Sequence, residues 1–130
     1  HFAVDMTKNA GYQTMSFNNS SLITCLSNDY GYNHWVSKCI DYYGEVNDFA
    51  IFISSSGKSE NMINGCNTAK DNGLKTITLT GFDIANPLKA LGHYNLWVDS
   101  KSYNTVENIH QIWLLSIVDL LIGKSEYSAS

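Results

Sequence analysis

Apolar residues along the chain keep two rhythms. Short β-rich runs at residues 12–17, 49–54, 75–80 and 94–98, each followed by a polar turn, predict four strands. Between them the spacing becomes helical. Residues 33–43 place Trp35, Val36, Cys39, Ile40 and Tyr43 on one side, and residues 59–72 do the same with Met62, Ile63, Cys66 and Ala69. A last long helix is expected over residues 105–122, with Ile109, Ile112, Trp113, Ile117 and Leu120 as its apolar positions. The run Phe49-Ala-Ile-Phe-Ile53 is apolar without alternation, the pattern of a strand covered on both faces, and this favours a parallel sheet. Strand and helix alternate, so the expected fold is α/β: a three-layer, doubly wound parallel sheet flanked by helices, forming a single domain over residues 1–130. Asn72-Gly73 closes one helix, while Gly81 and Pro87 mark the loop after the third strand.

Composition narrows the ligand chemistry. The chain has 130 residues, 44% of them hydrophobic and 15% charged, enough to bury one sizeable core. Its net charge is −4, and its eight basic residues are all lysines scattered from Lys8 to Lys124, so no basic stripe exists for a nucleic-acid backbone. Without arginine, an anion must be held by backbone amides, hydroxyls and lysine. Cys25, Cys39 and Cys66 are odd in number and unpaired in spacing, and read as reduced core thiols. No run approaches the roughly 18 apolar residues of a membrane span, and no secretory signal opens the chain, so a cytoplasmic protein without membrane contact is expected.

The most informative stretch is Ile51-Phe-Ile-Ser-Ser-Ser-Gly-Lys-Ser-Glu-Asn61, a strand entering a hydroxyl-rich turn and then a helix start. A helix N-terminus at the carboxyl end of a parallel strand offers free amides and the positive end of the helix dipole. Ser54, Ser55, Ser56 and Ser59 add hydroxyl donors, and Gly57 permits close backbone approach, so the loop suits a phosphate. A plain Ser-rich turn capped by Ser59 explains the same residues.

The run Ile-Ser-Ser-Ser-Gly-Lys-Ser59, followed by Lys75-Thr-Ile-Thr-Leu-Thr-Gly81, resembles the strand, serine-rich loop, helix and second strand of the sugar isomerase (SIS) family, and within it the phosphoheptose isomerases. Asn28-Asp29-Tyr-Gly-Tyr32 is similar to an Asn-Asp-Phe-Gly-Phe segment of that group, and His1-Phe-Ala-Val-Asp5 to a His-Phe-Ala-Glu-Glu helix. Val106-Glu-Asn-Ile-His110 resembles the start of the group's last helix. The resemblance spans nearly the whole chain. Because His1 to Lys8 reads as the inside of a helix with no cap before it, the resemblance also implies an absent N-terminal helical segment and Gly-Asn-Gly-Gly-Ser turn.

What the resemblance implies is a ketose-to-aldose isomerase acting on sedoheptulose 7-phosphate or a close analogue in heptose synthesis for a surface polysaccharide. It further implies phosphate binding by Ser54, Ser55, Ser56 and Ser59, sugar contact by Asp29, and a homotetramer. Asp5 stands where the family has its catalytic Glu. Glu107 stands where it has a Gln, and Leu115, eight residues on, where it has a second catalytic His. His1 and Asp5, four apart on a helix, share a face and suit either joint metal binding or an acid/base pair. A zinc site of altered composition from His1, Asp5 and Glu107 is one expectation, a catalytic role for Asp5 and Glu107 another. Leu115 cannot move a proton, which keeps a noncatalytic phosphosugar-binding module open as the alternative. A flavodoxin-like or receiver-like signalling domain is a third reading, disfavoured because no acidic cluster follows a first strand. Lys58 either adds charge to the loop or faces solvent. His34, His93 and His110 have no assigned role.

Overall fold

A computed structural model describes residues 1–127. In chain order the elements are α1 (Phe2–Lys8), α2 (Ser20–Tyr30), α3 (Trp35–Tyr43), β1 (Phe49–Ser54), α4 (Glu60–Asp71), β2 (Lys75–Thr80), α5 (Pro87–Leu91), β3 (Tyr94–Trp97) and α6 (Tyr103–Ile122). The strands form one parallel sheet in the order β1-β2-β3, with Ser54 opposite Thr80 and Thr80 opposite Trp97. Parallel neighbours need crossovers, and α4 and α5 supply them. The α/β parallel fold expected from the sequence is present, with three of the four expected strands.

Residues 12–17 do not form the fourth. Their backbone is tied locally: Thr14 N–H donates to Thr7 Oγ1 at 2.9 Å, and the same hydroxyl donates to the Thr14 carbonyl at 3.2 Å. A β-prone run becomes a strand only when a partner takes its amides. Two helices escaped the sequence reading. α2 starts at Asn19, whose side chain accepts from Leu22 N–H, and α5 starts at Asn86 with Pro87 in its first turn. The described chain divides into two compact units, residues 17–106 and residues 1–16 with the segment from Glu107 onward.

In the first unit, the alternating side chains Ala50, Phe52 and Ser54 of β1 and Thr76, Thr78 and Thr80 of β2 are buried. A core of Val36, Ile40, Ala50, Phe52, Cys66, Ala69, Leu74 and Leu88 joins them to α3, α4 and α5. Gly65 allows the helices to close in, because a Cβ there would lie 2.4 Å from Val36 Cγ1. Buried hydroxyls need partners, and each threonine has one: Thr76 bonds His93, Thr78 bonds Asn95, and Thr80 bonds Asn86. The expectation that β1 is covered on both faces holds for one face only. Phe49 is 65% and Ile53 44% exposed, so apolarity alone did not report burial at the ends of this strand.

In the second unit, α1 is followed by the Thr7–Thr14 clasp, and α6 carries a buried row of His110, Leu114 and Val118 that continues Val106 at four-residue spacing. This row corrects the expected apolar face, since Ile112 and Leu120 are exposed. Among the described residues α6 is also long and apolar enough to cross a bilayer by length and composition, which the sequence reading did not anticipate. Its regular buried row is the pattern of a helix packed along one side.

Candidate active site

The serine loop is built by a tight turn at the end of β1. Gly57 N–H donates to the Ser54 carbonyl at 3.0 Å, and Gly57 takes a φ of 64°, a conformation that favours glycine. Two bonds then pull the loop's carbonyls one way. Gly81 N–H donates to the Ser55 carbonyl at 2.8 Å, and Leu88 N–H donates to the Gly57 carbonyl at 3.1 Å. In a planar trans peptide the amide N–H points opposite to the carbonyl of the preceding residue. The Ser56 and Lys58 amides therefore turn away from residues 81–88, toward the open side of the loop. Gly57 N–H, between them, stays on the Ser54 carbonyl, so it is these two alternate amides at the start of α4 that could meet an anion.

Side chains complete the turn. Ser54 Oγ and Ser59 Oγ are hydrogen-bonded at 3.1 Å, and Ser56 Oγ accepts from Lys58 N–H at 3.3 Å. Ser59 is the N-cap residue of α4, but its hydroxyl makes no cap bond, so the capped-turn reading does not describe it. Glu60, in the first helical turn, would compete with an anion for the positive helix end; its carboxylate instead accepts from Asn33 Nδ2. Lys58 is exposed and is the only basic residue in the run 54–60.

Asp29, the expected sugar contact, lies in the last turn of α2, and its carboxylate accepts from Asn28 Nδ2 at 3.0 Å and from the Cys25 thiol at 3.7 Å. Those bonds are local and do not join it to the serine loop.

His1 and Asp5 do meet. Asp5 Oδ2 is 2.9 Å from His1 Nε2, and Asp5 Oδ1 accepts from Asn9 Nδ2 at 3.2 Å. The Asp5 side chain is 17% exposed and that of His1 66%, so the carboxylate is sheltered while the imidazole reaches solvent. Glu107 sits exposed in the second turn of α6, and Leu115 is half-buried further along it. The three-ligand set expected of His1, Asp5 and Glu107 is not assembled: among the described residues no three His, Cys, Asp or Glu side chains gather to hold an ion. A catalytic zinc takes three protein ligands, so His1 and Asp5 alone do not fit one.

All three thiols are free among the described residues. Burial raises the Cys39 thiol above its ordinary value; burial also raises Cys66, against a smaller lowering by its hydrogen bond to Thr76. These two are core residues with inert thiols, as expected, whereas Cys25 is exposed. His34 precedes α3 without a side-chain cap bond. His93 accepts from Thr76 N–H at 3.0 Å and extends the β2–β3 pairing by a side chain. The residue that sequence reasoning missed is Asn86. It was legible as Asn followed by Pro, the signature of an N-cap with proline at the first helical position.

Comparison with known proteins agrees with this geometry. Residues 4–81 match the SIS domain family model. A phosphoheptose isomerase from Histophilus somni is 38% identical over 132 residues, covering 98% of this chain and 66% of the relative. Another from Fusobacterium nucleatum is 37% identical over 105 residues, covering 81% of this chain and 54% of the relative. Among solved structures, a phosphoheptose isomerase from Neisseria gonorrhoeae superposes with a TM-score of 0.81 at 27% identity, over 93% of this chain and 67% of that one. One from Francisella tularensis gives a TM-score of 0.77 at 25% identity, over 83% of this chain and 58% of that one. The chain thus spans between about half and two thirds of the length of these relatives. With the family model matched from β2 back into α1, the chain belongs to the SIS domain family.

Proposed function

We propose that the chain binds a phosphosugar through residues 54–59 and serves aldose–ketose isomerisation of a heptulose 7-phosphate. The observation that carries the binding step is the loop's backbone. The Ser55 and Gly57 carbonyls are held by Gly81 and Leu88, which turns the Ser56 and Lys58 amides to the other side of the loop, where an anion would take Lys58 N–H over from Ser56 Oγ in a chain without arginine. The relatives carrying the name phosphoheptose isomerase support the choice of sugar.

Isomerisation of a 2-ketose removes a proton from C1, passes through an enediol, and returns a proton to C2 while the C1 hydroxyl becomes the aldehyde. In this reading the Asp5 carboxylate, held by His1 and Asn9, is the base at carbon, and Glu107 is the second acid/base group. His1 holds the carboxylate in place. No step runs through a metal. The protein works in the cytoplasm as a homo-oligomer, a tetramer on the family pattern, in heptose synthesis for a surface polysaccharide.

A second reading, a phosphosugar-binding module without turnover, is favoured by Leu115, an apolar side chain at the family's second catalytic position. Sedoheptulose 7-phosphate separates the readings. Binding with conversion to the aldose supports the isomerase, binding without conversion supports the module, and affinity unchanged by Ser55→Ala with Ser59→Ala refutes the loop assignment in both.

A further inference from the structure

We propose that Asn86 is the positioning residue that sets the anion affinity of the serine loop, an inference that rests on the phosphate reading of that loop. Its side chain is 1% exposed and uses both ends. Nδ2 donates to the Asp83 carbonyl at 2.8 Å, with Thr80 Oγ1 at 3.2 Å and the Gly81 carbonyl at 3.3 Å also within reach. Oδ1 accepts from Lys89 N–H at 2.9 Å and so caps α5. One buried amide thus ties the end of β2 to the start of α5.

That tie fixes the two donors that shape the loop. Gly81 N–H and Leu88 N–H lie at the two ends of the segment Asn86 holds together, and they grip the Ser55 and Gly57 carbonyls. If their separation changes, the two peptide planes rotate, and the Ser56 and Lys58 amides rotate with them. Asn86 also packs directly on Gly57, whose missing Cβ would fall 1.9 Å from Oδ1. The side chain therefore supports the loop from below and never needs to touch the anion. Preorganised donors bind tightly because they need no ordering when the ligand arrives, so a loosened support lowers affinity although no anion-contacting group has been removed.

A structural role and a positioning role separate through the cap. Asn86→Ser keeps an N-cap oxygen for α5 and adds no charge, but it is one group shorter and lacks the amide donors to Asp83 and Gly81. Asn86→Ala removes cap and tie together. The measurement is calorimetric titration of wild type and both variants with inorganic phosphate and with sedoheptulose 7-phosphate, alongside their melting temperatures. Val36→Ala, in the core on α3, serves as a destabilised control. We expect affinity for both probes to fall at least tenfold in Asn86→Ser and Asn86→Ala, while the melting temperature of the Ser variant recovers toward wild type and Val36→Ala keeps full affinity. Wild-type affinity in Asn86→Ser overturns the proposal, as does affinity that merely follows melting temperature across all three variants. A wild type that binds neither probe overturns the loop assignment itself, and the positioning role with it.

Discussion

Gly57 and Asn86 fit together only because residue 57 has no side chain: a Cβ there would lie 1.9 Å from Asn86 Oδ1 and 2.2 Å from its Cγ. The φ of 64° adds a second penalty for any L residue. Gly57→Ala is therefore expected to cost about 3 kcal/mol, combining roughly 1–2 for the left-handed backbone with 1–3 for overpacking. Urea unfolding measures it. Stability unchanged in the alanine variant would mean that the loop does not take this turn.

Thiol chemistry should sort the three cysteines. A thiol reagent at neutral pH is expected to modify Cys25 quickly, and Cys39 and Cys66 only after denaturant is added. Burial raises both core thiols above the ordinary value of 9.0, so the folded state holds their protons to higher pH than the unfolded state. Their contribution to stability is whole below that value and declines as pH rises through and beyond it, because the unfolded chain ionises first. Unfolding midpoints measured from pH 7 to 11 should fall less in a Cys39→Ala, Cys66→Ala variant than in wild type.

How much of this was legible follows from what each element needs. β1, β2 and β3 could be read because their runs are short, carry β-branched or aromatic residues and are bounded by turns. The same reading failed at residues 12–17, where Thr7 captures the backbone that a strand would have to share. α2 was invisible because Ser, Thr and Asn dilute its periodicity, and a single residue, Leu26, is buried. α6 is apolar on most sides, so spacing could not select the face on which His110, Leu114 and Val118 lie. The serine loop was legible as local chemistry. Its support by Gly81, Asn86 and Leu88 was not, because those bonds join residues about 30 apart, and no local pattern encodes them.

His93 should act as a hydrogen-bond acceptor through its Nδ1. Thr76 N–H and Thr76 Oγ1 both meet His93 Nδ1, at 3.0 and 2.8 Å, and His93 N–H returns a bond to Thr76 Oγ1 at 3.1 Å. His93→Ala leaves the Thr76 amide without its acceptor, at an expected cost of about 1–3 kcal/mol. His93→Asn places an amide oxygen where Nδ1 lies and should recover most of that loss. A denaturation series in which alanine and asparagine variants are equally stable would show that the ring packs and does not accept.

The proton-transfer assignment makes a kinetic prediction. Asp5→Asn keeps the shape and the contacts to His1 and Asn9 but removes the base, so kcat for sedoheptulose 7-phosphate should fall by roughly 10²–10⁴ with KM little changed. Glu107→Gln restores the family residue at that position, and loss of turnover there would mark the carboxylate as a proton carrier in this chain. Retained turnover in both variants removes both residues from the mechanism.

The outer side of α6 tests the assembly. Its buried row takes one side of the helix, while Ile112 is 61%, Leu120 79% and Leu121 46% exposed. Ile112 and Leu120 are two turns apart and share a flank. Leaving such side chains in water forgoes about 25 cal/mol for each Å² a partner would cover, so a second copy seated here is stabilised by burial without needing any charge pair. Ile112→Glu with Leu120→Glu would force two carboxylates into that contact, an expense of several kcal/mol, while leaving the buried row untouched. Sedimentation velocity should therefore show the double variant as a smaller species than wild type, with its far-UV circular dichroism unchanged. Identical sedimentation coefficients would mean that no copy of the chain covers this flank.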